Sequence, residues 1–154
     1  MNIAIVGSRG YDGAHANSLI PRVVRRLIQV YGEFTLVSGG CPDGADTISE
    51  HAVRAIDGMP NPIIFLANSE KAKQAFGPVF RDRAFGRNKW IVDNAELCVA
   101  FFSGTYNPNA KNDGMKGGTL NTVNHAFRKG IKVQAYFAKS DRWVTYPAVE
   151  VTGL

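Results

Sequence analysis

Little in this chain points to metal or disulfide chemistry. Its 154 residues hold two cysteines, Cys41 and Cys98, and three histidines, His15, His51 and His125. Two isolated cysteines make no disulfide framework and lack the spacing of metal ligands, and the histidines do not cluster in sequence. No metal site and no cofactor are expected. No apolar run approaches the roughly 20 residues a membrane span requires. The segment Met1-Asn2-Ile3-Ala4-Ile5-Val6-Gly7 lacks the basic stretch that opens a secretory leader. Together these absences suggest a chain of the reducing cytoplasm, with no membrane partner. Charge of one sign is not gathered into a run either. Eighteen Lys and Arg against 13 Asp and Glu leave +5, a modest bias toward anionic partners such as nucleotides or nucleic acid.

What the chain does have is alternation. Short apolar runs, Ile3–Val6, Phe34–Val37, Pro62–Leu66, Leu97–Phe102 and Lys132–Phe137, are separated by stretches of helical period. That order predicts βαβ units: an α/β, three-layer Rossmann-like fold with a mostly parallel sheet of about five to six strands. Leu19, Ile20, Val23, Val24, Leu27 and Ile28 repeat at helical spacing, with Ser18 as the expected N-cap, Pro21 in the first turn and Gly32 as the stop. A second helix is expected from Thr47, whose Thr47-Ile48-Ser49-Glu50 reads as a capping box. Others are expected at about 69–75, at about 84–94 with Phe85, Trp90 and Ile91 inward, and from an N-cap at Thr119 to Gly130. Trp143, Val144, Tyr146, Val149 and Val151 suggest a further edge strand. Residues 103–117 are nearly devoid of apolar side chains, and a loop that long is usually functional or mobile. One domain over 1–154 accounts for the whole pattern.

Three glycine-rich junctions fall at strand exits. They are Val6-Gly7-Ser8-Arg9-Gly10, Ser38-Gly39-Gly40-Cys41-Pro42-Asp43-Gly44-Ala45-Asp46, and Gly114-Met115-Lys116-Gly117-Gly118-Thr119. Glycine lets the backbone approach a ligand, and the first N–H groups of a following helix point at it. In an open α/β sheet such loops share one edge, so one nucleotide-sized anion site is expected there.

Each candidate carries a plainer reading beside the functional one. Gly39, Gly40 and Gly44 serve a ligand cradle or only a tight turn. Asp43 and Asp46 are turn and N-cap residues, or Asp46 accepts from a ribose hydroxyl. Glu50 is explained by capping and by a pair with Arg54 four residues on. Arg9 stands at a strand exit, positioned for a phosphate or base. Arg87 and Asn88 are expected near a helix start, where a cation opposes the helix dipole unless an anion binds nearby. Arg81 and Arg83 read as a solvated face. Lys116 adds charge beside Gly117, Gly118 and Thr119. Cys41 has no histidine near it in sequence to activate a nucleophile. Phe101 and Phe102, with Trp90, read as core.

Taken together, Val6-Gly7-Ser8-Arg9, Ser38-Gly39-Gly40 through Gly44-Ala45-Asp46, Arg87-Asn88 and Lys116-Gly117-Gly118-Thr119 resemble the SLOG superfamily of Rossmann-like domains over about residues 1–137. That superfamily includes the Lonely Guy nucleotide phosphoribohydrolases, the YpsA- and YspA-like proteins and the DNA-processing protein A family. The small single-domain YspA-like group is the most similar. The resemblance implies a site for a nucleotide, a nucleotide-derived ligand or nucleic acid, built from Gly7, Ser8, Arg9, Ser38, Gly39, Gly40, Gly44, Asp46, Arg87, Asn88, Gly117, Gly118 and Thr119, and homo-oligomer formation. The phosphoribohydrolases carry a glutamate after their Gly-Thr, where this chain has Asn121 and Thr122. An oxocarbenium-like transition state needs a carboxylate. N-glycosidic hydrolysis would therefore fall to Asp43, Asp46 or Asp12. Single-stranded DNA binding of the DNA-processing type is the alternative, with Tyr11, Tyr106 and Phe85 as stacking candidates.

Overall fold

The computed structural model describes residues 1–148; Val149 and Val151 lie outside the described residues. Six strands form one sheet in the order β3-β2-β1-β4-β5-β6. They are β1 (Asn2–Gly7), β2 (Thr35–Ser38), β3 (Ile63–Ile64), β4 (Leu97–Phe102), β5 (Lys132–Phe137) and β6 (Arg142–Tyr146). The first five are parallel, and β6 returns antiparallel on β5. The helices are α1 (Ala14–Tyr31), α2 (Ala45–Arg54), α3 (Glu70–Phe76), α4 (Phe80–Asp93) and α5 (Gly117–Lys129). None of the described helices is long and apolar enough to cross a membrane.

The continuous apolar runs follow from burial on both sheet faces. Ile3, Ile5, Val99 and Phe101 point toward α1 and α2, where Ile20, Val24 and Val53 meet them. Their neighbours Ala4, Val6, Cys98, Ala100 and Phe102 point the other way, onto Ile91 and Val92 of α4 and Val123 and Ala126 of α5. Complete burial pushes the Cys98 thiol up to about 12, so it is inert at neutral pH.

Several expected helix starts shift. α1 begins at Ala14, four residues before Ser18, with Gly13 as its N-cap, so Pro21 sits inside the helix. α2 begins at Ala45 behind Gly44, and no capping box forms. Thr47 Oγ1 donates instead to the Cys41 carbonyl at 2.7 Å. Glu50 accepts from Ser38 Oγ at 2.8 Å and lies 3.6 Å from Arg54. Thr119 is in the first turn of α5, whose N-cap is Lys116. The 103–117 segment is tied down at both ends of its path. Tyr106 N–H donates to Ser140 Oγ, Tyr146 donates to Asp113 at 2.7 Å, and Met115 is buried.

Candidate functional site at the carboxyl edge of the sheet

The strand order reverses between β1 and β4, and ligands of open α/β sheets lie outside the carboxyl ends of strands at such a point. A cleft of about 400 Å³ opens there. The β1 exit contributes Gly7, Ser8 and Arg9; the β2 exit contributes Gly39 and Cys41, with Asp46 from the start of α2. Lys116, Gly117, Gly118 and Thr119 come from the start of α5, and Arg87 and Asn88 from the middle of α4. The three glycine junctions thus converge on one hollow.

Not every candidate reaches it. Ser38 is wholly buried and holds Glu50. Gly40, at φ +67°, packs its α-carbon so closely on Ile64 and Leu66 that a Cβ would meet both within 2.7 Å. Gly44, at φ +79°, lies against the Ser8 carbonyl, where a Cβ would stand 3.1 Å away. These three shape the turn behind the cleft. Asp43 is exposed and outside it, as is Asp12.

Arg87 and Asn88 occupy the second and third turns of α4, so the helix-dipole argument for them fails. The geometry supplies a better one. Arg87 Nη1 donates to the Gly39 carbonyl and, at 2.8 Å, to the Phe65 carbonyl, and Nε donates to Ala84 and Asn88. Among the described residues Nη2 has no partner, so one face of the guanidinium is open at the cleft. Burial pulls the Arg87 guanidinium below its ordinary value, and Asp46 opposes that pull. Asn88 is committed to the protein: its amide donates to Asn121 Oδ1 at 3.0 Å and to the Gly118 carbonyl at 3.4 Å. It clamps the start of α5 onto α4.

Asp46 sits at the α2 N-terminus, where Oδ2 accepts the Cys41 N–H at 3.0 Å. Burial raises its carboxyl to about 6, against the lowering effect of that hydrogen bond and of Arg87. The carboxyl thereby ties the Gly39–Cys41 loop to the start of α2. The N-terminal end of α5 is left open. Among the described residues the N–H groups of Gly117, Gly118 and Thr119 find no acceptor, as a helix of 13 residues leaves its first turn.

Several residues depart from their expected settings. Arg83 is buried, donating to the Ala67 carbonyl at 3.0 Å, to Gly77 and Pro78, and to Asn68 Oδ1. It pins the turn before α4. Trp90 is half-buried against Phe76, with the Lys71 ammonium 4.5 Å from its ring centre. Tyr11 is buried against Phe101 and cannot stack on a ligand. Tyr106 packs on Phe137 away from the cleft. Sequence reasoning missed Phe80. It is 44% exposed, lines the cleft, and lies 5.9 Å from the Arg9 guanidinium. Arg81, expected on a solvated face, also lines the cleft and lies over Phe85 at 5.2 Å.

No protein-family model matches the chain, and no curated protein matches it. Solved structures do. DNA processing protein A from Helicobacter pylori, described for its single-stranded DNA binding mode, superposes with a TM-score of 0.61 at 14% identity over 88% of this chain. The chain has the fold of that protein. It spans 65% of that protein's length. A molybdenum cofactor binding protein from the phototrophic bacterium Rippkaea orientalis matches with a TM-score of 0.51 at 18% identity, over 88% of this chain and 76% of that one. At these identities the likeness is one of fold, and it agrees with the α/β, Rossmann-like architecture expected from the strand and helix order.

Proposed function

We propose that the cleft binds a nucleotide or a nucleotide-derived anion. One observation carries the reading: among the described residues, four basic side chains, Arg9, Arg81, Arg87 and Lys116, and one acid, Asp46, line a hollow floored by the open N-terminus of α5. A phosphate accepts from the Gly117, Gly118 and Thr119 N–H groups and from Arg87 Nη2, with Lys116 and Arg9 adding charge. Phe80 and Phe85 flank the ring of the base. A volume near 400 Å³ sits within the ~300–1,000 Å³ of small-ligand sites. The protein then senses or sequesters its ligand. For hydrolysis of the N-glycosidic bond, Asp46 is the only acidic residue lining the cleft among the described residues, and its raised value keeps a proton available near pH 6.

Isothermal titration with nucleoside monophosphates and ADP-ribose tests this, with K116A expected to weaken binding several-fold. Absence of heat at millimolar ligand, with the protein folded, refutes it. Exposure of Phe80 beside Arg9 favours a second reading, a single strand crossing the cleft with a base on that ring. Strand binding would fall steeply with salt, and mononucleotide binding far less.

A further inference from the structure

A second hollow, of about 290 Å³, opens between α1 and the β5–β6 end of the sheet. It shares no residue with the cleft. Trp143 forms one wall, its inner edge against Tyr136 and Phe101, with 42% of its surface exposed. Arg22 and Arg26, one helical turn apart on α1, form the other wall. Gln134 and Thr145, paired across β5 and β6, supply an amide and a hydroxyl between them.

The two guanidiniums are unmatched. Arg22 donates to the Ser18 carbonyl and Arg26 to Gln29 Oε1, each at 3.3 Å, and among the described residues neither has a carboxylate within salt-bridge distance. Asp141 accepts the Tyr136 hydroxyl at 2.7 Å and does not line the hollow. An apolar partner would cover both charges without offering an acceptor. A second copy meeting this face about a two-fold axis would set four guanidiniums together with no acid among the described lining residues. A planar ring bearing an anionic group satisfies both walls at once: it stacks on the indole and accepts from the guanidinium forks.

We infer that this hollow is a separate binding site for a nucleotide unit, ring on Trp143 and phosphate on Arg22 and Arg26. The inference does not depend on the function proposed for the cleft. Indole emission of the full chain reports it, because the other tryptophan, Trp90, lines neither hollow. Titration with adenosine monophosphate, and in parallel with a thymidine hexanucleotide, is expected to quench saturably. The quench should vanish in W143F, weaken at least tenfold in R22A/R26A, and persist in K116A. Quenching by the hexanucleotide alone would support the site and assign the unit to a strand. No quench by either probe at millimolar concentration overturns the inference, as does a quench that survives W143F or is undiminished in R22A/R26A. Emission that shifts with protein concentration and ignores both probes, with a doubled mass in sedimentation, would assign the face to a dimer and also overturn it.

Discussion

Gly39→Ala is the sharpest test of how the cleft holds Arg87. Gly39 has no left-handed φ, so alanine meets no backbone strain there. A Cβ would instead stand 2.7 Å from Arg87 Nη1, 2.9 Å from Cζ and 3.1 Å from Asp46 Oδ2. Carbon–carbon contacts settle near 3.5–4.0 Å, so the guanidinium must retreat by about 1 Å. That breaks or bends its bonds to the Gly39 and Phe65 carbonyls. Hydrogen bonds from a charged donor are worth about 1.5–3 kcal/mol each, and a flexible arginine regains part of that. The expected loss is therefore ~1–3 kcal/mol, a fall in Tm of roughly 2–12 °C for a chain of this size. Withdrawal of Nη2 from the cleft should weaken an anionic ligand by about tenfold or more. Gly104→Ala, with nothing within 4 Å of its Cβ, is the control and should leave both unchanged. Calorimetric melting and titration on the two variants decide it. If G39A melts within 1 °C of the parent and binds within twofold, the close packing of Gly39 on Arg87 has no energetic meaning.

Three further outcomes are expected. Because burial raises Asp46 from 3.8 to about 6, folding favours its neutral form; that contribution to stability is complete below pH 3.8 and lost as pH rises through about 6. Binding of ADP-ribose should accordingly strengthen as pH falls through 6, and D46N should flatten the profile, measured by titration from pH 5 to 8. Arg83→Ala strips the hydrogen bonds that pin the turn before α4 and should lower Tm by roughly 6 °C or more, whereas R81A should lower it by less than about 1 °C, both read by thermal melting. Glu50→Ala leaves Ser38 Oγ without its buried acceptor and should cost about 1–3 kcal/mol in urea unfolding, with E50Q recovering most of it.

Much of the fold was legible in order and composition. Uninterrupted runs such as Leu97–Phe102 need two covered faces, and their alternation with helical periods leaves little besides a parallel, doubly covered sheet. The glycine junctions were legible for the same local reason: small residues at strand exits mark where backbone must bend or approach. The start of α3 behind Ser69 was legible too, but the other helix starts were not. α4 shows a weak apolar stripe because Arg83 and Asn88 are themselves buried, so its first turn looked solvated. Misplacing that start hid Phe80 and gave Arg87 the wrong argument.

Sequence alone determined the succession of strands and helices and the glycine junctions at the strand exits, since each depends on neighbours a few residues apart. Tertiary structure alone decided which side chains face the cleft. Ser38, Gly40 and Gly44 sit in the same loop as Gly39, yet they pack inward, and Arg87 enters from 48 positions away to meet it. The unmatched pair Arg22 and Arg26 gains its tryptophan only because β6 folds back beside β5. Those juxtapositions arise from long-range packing, which no local pattern encodes.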